Sequence, residues 1–254
     1  FKEAGNFPEA VRLLNKAIAL AIAISRPFND VSFTCTLIQV HVRRGEVDLA
    51  REHLERIEPI DLSMGPESFR TQRILARAEV EIASGNIAAA MEALDRVTVI
   101  AENGSPPYSQ RWAYFLGELL VRAGRVDMAR TVHESSLVYL RSMPNMAYLP
   151  GTLCYYAEAL NALGEHTRAL ELVAEAEPMW QRKPPYAVQL TDLILAKAYN
   201  GLGEHERAMP HARAAADAYG AMPWIYRETD ALAALETARA GLAAWAREDS
   251  AVLS

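Results

Sequence analysis

Apolar residues recur at helical spacing on both sides of Gly164. The four that precede the glycine are Leu153, Tyr156, Ala157 and Leu160. The four that follow it, with the same spacing, are Ala169, Leu172, Val173 and Ala176. Side chains at this spacing lie on one face of an α-helix. The pattern therefore predicts two helices joined near Gly164, with their apolar faces turned toward each other.

A glycine followed five positions later by an alanine recurs along the whole chain. The pairs are Gly5/Ala10, Gly45/Ala50, Gly85/Ala90, Gly124/Ala129, Gly164/Ala169 and Gly203/Ala208. Successive glycines are 40, 40, 39, 40 and 39 residues apart. Such a regular period predicts a stack of repeats, each one a supersecondary unit that buries its apolar face against its neighbours.

The two residue types explain the shape of each repeat. Glycine adopts the left-handed conformation without a steric penalty, so it ends one helix and reverses the chain. Alanine in the first turns of the next helix lets two antiparallel helices approach closely, because it has no side chain beyond Cβ. Each repeat is therefore predicted to be a hairpin of two antiparallel helices.

Segments rich in proline and glycine separate the predicted hairpins within a single domain, 1–254. The hairpins are predicted at about 1–25, 30–58, 67–102, 107–142, 150–177 and 185–219, followed by a terminal helix at 224–247. Residues 1–4 are expected to end a helix whose beginning is absent, so we expect the chain to be part of a larger protein. Gly241 with Ala246 leaves open whether a seventh hairpin exists.

Composition narrows the classes of function. The chain has 254 residues, is 51% hydrophobic and has a formal charge of −6, which argues against nucleic acid as the main partner. Two cysteines cannot build a disulfide framework, and the apolar runs are too short to span a bilayer. The six histidines lack metal-binding spacing, and no catalytic or dinucleotide motif occurs. We expect a cytoplasmic, non-catalytic protein without cofactor, metal, membrane or direct nucleic-acid binding.

The glycine–alanine pattern at the hairpin turn resembles the tetratricopeptide repeat. That family has a small residue seven positions before the glycine, and the residues there are Ile38, Ala78, Gly117, Ala157 and Ala196. Another small residue is expected twelve positions after it; Ala17, Ser136, Ala176 and Ala215 agree, whereas Ile57 and Val97 do not. The period is longer than the family's, which is about 34 residues, and its early Trp and late Pro are not kept. HEAT and armadillo repeats have a nearer period, but the turn pattern favours the tetratricopeptide fold.

The long period is similar to the sensor region of bacterial regulators of the MalT/LuxR type. In that family, the resemblance implies, an all-α superhelix receives an inducer or an inhibitory protein while other domains bind ATP and DNA. Neither a phosphate-binding loop nor a helix-turn-helix appears in this sequence. The resemblance also implies that the first helix of each hairpin lines a concave surface.

One position of the first helices, six residues before the glycine, is polar in every repeat. The residues there, which we call the ladder, are Gln39, Glu79, Glu118, Glu158 and Lys197. We expect the ladder to bind a basic or amide-bearing segment of a partner. Arg111, Tyr114 and Tyr155 are further candidates for that contact.

A second interpretation of the ladder remains open, in which the glutamates are solvated or paired with arginines such as Arg111 and Arg122. The same helix faces also carry apolar residues, namely Cys35, Val42, Leu75, Ile82, Tyr114, Val121, Leu190 and Leu193. We therefore expect a ligand, a peptide or the opposite wall of a tight superhelix to cover them.

Two classes of function follow from the sequence. The first is a protein-interaction or effector-sensing solenoid that binds a peptide, a protein or a small effector on its concave face. The alternative is an architectural scaffold that spaces domains or self-associates through its convex face or its ends.

Overall fold

The computed structural model describes the backbone of residues 6–103, 106–142, 148–180, 185–222 and 224–252. Across these residues the fold is all-α, as predicted, with twelve α-helices, one 3-10 turn at Glu177–Met179 and no strand. The helices are α1 Phe7–Ala23, α2 Pro27–Arg43, α3 Val47–Ile57, α4 Glu67–Ala83, α5 Ile87–Asn103, α6 Pro106–Arg122, α7 Val126–Ser142, α8 Leu149–Ala162, α9 His166–Ala176, α10 Pro185–Gly201, α11 His205–Gly220 and α12 Ile225–Val252.

The chain divides into two compact units, Phe1–Ser142 and Met143–Ser254. The first unit holds α1 and the hairpins α2/α3, α4/α5 and α6/α7; the second holds the hairpins α8/α9 and α10/α11 and the single helix α12. Within each unit the first helix of one hairpin packs on the first helix of the next, as in α2 on α4 and α8 on α10. This is the predicted repeat stacking. A continuous array across both units stays a prediction.

The predicted turn glycines adopt the left-handed conformation. Gly45, Gly85, Gly124, Gly164 and Gly203 have φ between 74° and 78°, while Gly5 lies outside the described residues. At Gly164 the glycine N–H donates to Asn161 O at 3.1 Å, and Glu165 N–H donates to Leu160 O at 2.9 Å. These two bonds form a Schellman motif, which satisfies carbonyls that the end of α8 leaves free.

The alanines five residues after the turn glycines are packed between helices. Ala50, Ala90, Ala129, Ala169 and Ala208 are each 0% exposed. Their burial confirms the predicted close approach within each hairpin. In α6/α7 the His133 ring lies directly over Gly117, where a Cβ would come within 2.1 Å of its Nε2 atom.

Two side-chain clasps of identical chemistry join neighbouring repeats in the second unit. Asn161 Nδ2 donates to Ile194 O at 2.9 Å, and its Oδ1 lies 3.1 Å from His166 Nδ1. Because the amide nitrogen of Asn161 is used as a donor, the His166 Nδ1 must carry the proton of the second bond. A Cβ at Gly201 would lie 2.0 Å from His166 Nε2, so the ring fits only over a glycine.

The second clasp repeats these contacts one hairpin later. Asn200 Nδ2 donates to Ala234 O at 2.7 Å, and Asn200 Oδ1 lies 3.1 Å from His205 Nδ1. The His205 ring lies over Gly241, where a Cβ would come within 2.1 Å of it. In the first unit the positions of Asn and His are apolar: Val42/Val47, Ile82/Ile87 and Val121/Val126.

The clasps show that Gly241 is not a turn glycine. It matches Gly201, which lies two positions before the turn at Gly203, so the turn position of the next repeat is Ala243. Alanine resists the left-handed conformation, and α12 accordingly continues through this point to Val252. The question that the sequence left open at Gly241 has a structural answer: α12 passes through this position without a turn, packs as the first helix of a further repeat, and extends beyond the predicted end at 247.

Candidate binding face of the first helices

The three glutamates of the ladder are buried. Glu79 is 0%, Glu118 3% and Glu158 8% exposed, while Gln39 and Lys197 are half-buried. The interpretation in which these glutamates are solvated is therefore wrong. The reason is that successive first helices pack directly on one another, which places this stripe between neighbouring helices.

In the first unit the ladder takes part in a charge pair between neighbouring helices. Arg122 on α6 has its Nη1 atom 4.0 Å from Oε1 of Glu79 on α4. The arginine pairing of the second interpretation is thus found for Glu79. Gln39 on α2 and Tyr114 on α6 are half-buried on the same stripe, whereas the side chain of Arg111 lies outside the described residues.

In the second unit both ladder residues bind α12. Arg227 donates from Nη2 to Oε2 of Glu158 at 3.0 Å and from Nη1 to Oε1. Lys197 Nζ lies 2.6 Å from Oδ2 of Asp230. Neither partner follows from the sequence, because the repeat pattern assigns α12 no contact with the ladder and Arg227 is 69 residues away from Glu158. The sequence does contain one signal for these pairs. The ladder residues Glu158 and Lys197 have opposite charges, and so do Arg227 and Asp230, which bind them.

The candidate contact residue Tyr155 lies in the protein interior. It is 6% exposed and its neighbour Cys154 is 2% exposed, so a partner contact by Tyr155 would require this side chain to leave the core. Cys35 is buried, and burial raises the pKa of its thiol to about 12. A thiol with such a pKa is inert at neutral pH. Of the apolar residues expected to be covered, Cys35, Val42, Leu75, Leu190 and Leu193 are buried by the protein itself.

A histidine pair in hairpin α2/α3 forms a separate polar cluster. His41 is buried, with its Nδ1 atom 2.6 Å from Glu46 Oε2, and its ring stacks on His53 with 5.3 Å between ring centres. Burial lowers the pKa of His53, and electrostatic interaction with the neighbouring His41 and Arg56 lowers it further. The two rings and the carboxylate of this cluster are not arranged to hold a metal ion together. No group of three or more such side chains in the described part of the chain is.

The described helices include none that is long and apolar enough to cross a bilayer.

Comparisons with known proteins agree with the repeat structure. The family profile described as Tetratricopeptide repeat matches residues 31–56, 111–134 and 150–182. These segments cover hairpin α2/α3 almost entirely, most of α6 with part of α7, and hairpin α8/α9. No curated protein matches the sequence.

A solved structure titled as a Rap protein complexed with Competence and Sporulation Factor has a similar fold. The TM-score is 0.58 at 13% sequence identity, over 86% of this chain and 62% of the Rap chain. At this identity the likeness concerns the fold alone, and the chain spans less than two thirds of the Rap protein. The three repeat matches, the hairpin turns and this structural likeness identify the chain as a tetratricopeptide-like helical repeat domain, a fold of the protein-interaction type.

Proposed function

We propose that the domain is a non-catalytic interaction module that binds a peptide or protein segment, or a small effector, on the ladder side of the first unit. The observation that carries the proposal is the polar stripe on α2, α4 and α6. Gln39, Tyr114 and Arg122 are partly accessible there, next to the carboxylates of Glu79 and Glu118.

The stripe is continuous over three helices. Tyr114, Glu118 and Arg122 are four residues apart along α6, so they lie on one face of that helix. Arg122 reaches Glu79 on α4, and α4 packs on α2, which carries Gln39. A segment lying across this face would contact the partly exposed Gln39, Tyr114 and Arg122. The carboxylates of Glu79 and Glu118 lie buried beneath them.

The charges favour one chemistry of partner. The negative charges of Glu79 and Glu118 lie just beneath the stripe, and a buried charge acts strongly over short distances, so it favours guanidinium, ammonium and amide donors at the surface above. The formal charge of −6 over the chain attracts basic segments as well. We infer that the bound segment carries lysine, arginine, asparagine or glutamine side chains.

Selection from a random peptide library displayed on phage tests this proposal. The immobilised chain is expected to enrich peptides in basic and amide residues. Glu79→Gln combined with Glu118→Gln keeps the size of both side chains but removes their charge, and enrichment is then expected to disappear. The matched control is Glu52→Gln with Glu55→Gln, which removes two exposed carboxylates from α3 of the same unit.

Two outcomes of the selection would contradict the proposal. One is a set of peptides without any compositional preference. The other is equal enrichment by the parent chain and by the Glu79/Glu118 double variant, provided that circular dichroism shows both to be folded.

A second candidate function is self-association, because α1 has exposed apolar side chains. Leu20 of α1 is 60% exposed, and Ile24, which directly follows the helix, is 56% exposed. Sedimentation velocity over a hundredfold range of concentration tests this alternative. A dimer that Leu20→Glu abolishes would support a scaffold role, whereas a monomer at every concentration would exclude self-association through α1.

We also infer a regulatory setting in the cytoplasm. Support comes from the long repeat period, which is similar to the sensor region of MalT/LuxR-type regulators, and from the fold shared with a Rap protein that was solved in complex with a factor. The adjoining sequence of the parent gene tests this inference, since an ATPase or DNA-binding segment is expected there.

A further inference from the structure

Arg227 and Glu158 connect helices that are not neighbours in the stack. In a solenoid each repeat contacts only the repeats next to it. In the second unit α8, α10 and α12 follow one another as first helices, with α10 packed on both of the others. The Arg227–Glu158 pair nevertheless joins α12 to α8 directly, across α10.

Such a contact favours a curved stack. Packed helices lie 8–10 Å apart, so three helices in one plane would place the outer axes about 16–20 Å apart. Two fully extended side chains would be needed to bridge that spacing over the top of α10, whereas convergence of α8 and α12 on the ladder side brings the guanidinium and the carboxylate together without this demand. We infer that the ladder side is the concave side of the second unit.

Two aromatic rings next to the Arg227 guanidinium help to hold it in position against Glu158. Its guanidinium carbon lies 5.9 Å from the ring centre of Trp224 and 5.5 Å from that of Tyr226. Trp224 in turn packs edge-on against Tyr219 of α11, with ring centres 6.0 Å apart. Arg227 is 2% exposed. The aromatic rings thus fix the side chain in one direction.

The middle helix is tied to the same turns of α12. Lys197 on α10 bonds Asp230, which is three residues after Arg227. The first turns of α12 consequently bind the ladder residue of each preceding first helix in this unit. In the first unit the ion pairs Arg122–Glu79 and Arg51–Glu81 join helices of successive repeats instead.

We propose that Arg227 and Glu158 form a lock that fixes the curvature of the second unit and keeps Glu158 occupied by the chain itself. A buried bidentate pair tolerates little change in distance or angle. Without the arginine, the carboxylate of Glu158 is left in the interior and gains by moving toward water. The unit then opens on its ladder side. The lock is independent of the function proposed for the first unit.

Distance measurement between spin labels tests the lock in the full chain. Labels are placed at Ala162→Cys at the end of α8 and Ala233→Cys on α12, both of which are exposed. Cys35 and Cys154 are buried, and the parent chain without added cysteines checks that they take up no label. Pulsed electron resonance then gives the distribution of distances between α8 and α12.

Arg227→Gln is expected to lengthen the mean distance and to broaden its distribution. The matched control is Arg168→Gln, which removes an exposed ion pair with Glu171 on α9 of the same unit and is expected to leave the distribution unchanged. If Arg227→Gln does not fold, the pair Arg227→Gln with Glu158→Gln removes both charges and is measured instead. An unchanged, narrow distribution in a folded variant without Arg227 would overturn the proposal.

Discussion

The two units build the same repeat but join successive first helices with different chemistry. Three residues before and two residues after the turn, the first unit has apolar pairs such as Val42 with Val47. The second unit has Asn161 with His166 and Asn200 with His205 at the same positions. The ladder differs as well, because both of its residues in the second unit bind α12. The turn residues therefore determine the hairpin fold in both units. The contacts between repeats differ, and we expect them to determine the free energy with which neighbouring repeats are held together.

Removing the lock is expected to have the largest effect on stability. Arg227→Gln leaves Glu158 buried without its bidentate partner, which costs about 3–5 kcal/mol when one side of a buried pair is removed. Arg168→Gln, which breaks an exposed pair in the same unit, is expected to cost at most about 1 kcal/mol. Urea denaturation followed by circular dichroism measures both. Equal losses in the two variants would show that burial does not distinguish them.

The second largest loss of stability is expected from adding a side-chain atom where a clasp histidine packs on a glycine. Gly201→Ala places a Cβ within 2.0 Å of the His166 ring, and overpacking of this kind costs about 1–3 kcal/mol. His166→Ala in the same chain is expected to restore much of the loss. The matched control is Gly151→Ala in α8, where a Cβ meets nothing within 4 Å and a gain of about 0.5–1 kcal/mol is expected from helix propensity. Without rescue by His166→Ala, the assigned contact would be wrong.

Substitution of a turn glycine is expected to affect both units alike. Gly85 in the first unit and Gly164 in the second have φ of 76° and 78°. A β-branched residue resists this conformation, so Gly85→Val and Gly164→Val are each expected to cost about 1–2 kcal/mol. Thermal unfolding of the two variants provides the measurement. A clear difference between them would mean that the turns are not equivalent.

Acidification is expected to weaken the first unit through His53, with the smallest effect of the four. The pKa of His53 is lowered from 6.5 by burial and by His41, so the unfolded chain binds the proton more readily. The stability from this group is present above pH 6.5 and is lost as the pH falls through the lowered pKa. His53→Phe keeps a ring next to His41 and is expected to flatten the dependence of the melting temperature on pH. An identical slope in both chains would contradict this assignment.

The repeat fold was predictable because it depends on local signals. A glycine that ends a helix and an alanine that follows it act within one hairpin, and the described turns lie where these residues predict them. The exception is Gly241, where the spacing of 38 residues from Gly203 was close to the period but the residue serves the second clasp. Residue identity and approximate spacing do not distinguish a glycine that is needed for a left-handed φ from a glycine that is needed because a Cβ would collide with a neighbouring side chain.

The candidate site was less predictable, because burial and pairing depend on helices far apart in sequence. The period of the repeat gives equivalent positions such as the ladder, but it does not indicate that Glu79, Glu118 and Glu158 are buried between helices. Whether a carboxylate faces water depends on how sharply the stack curves. Arg227, which binds Glu158, lies in the first turn of a helix two repeats away. Their separation of 69 residues is not a multiple of the repeat period, so the period does not predict the pair.

The clasps also restrict how the repeats can be exchanged. A histidine in one repeat fits only if the next repeat has lost its Cβ at the facing position, so the requirement crosses the boundary between modules. A repeat carrying His166 can be transplanted only together with the repeat carrying Gly201. Shuffling single repeats between the two halves of the chain would therefore produce collisions, whereas moving adjacent pairs would preserve the fit.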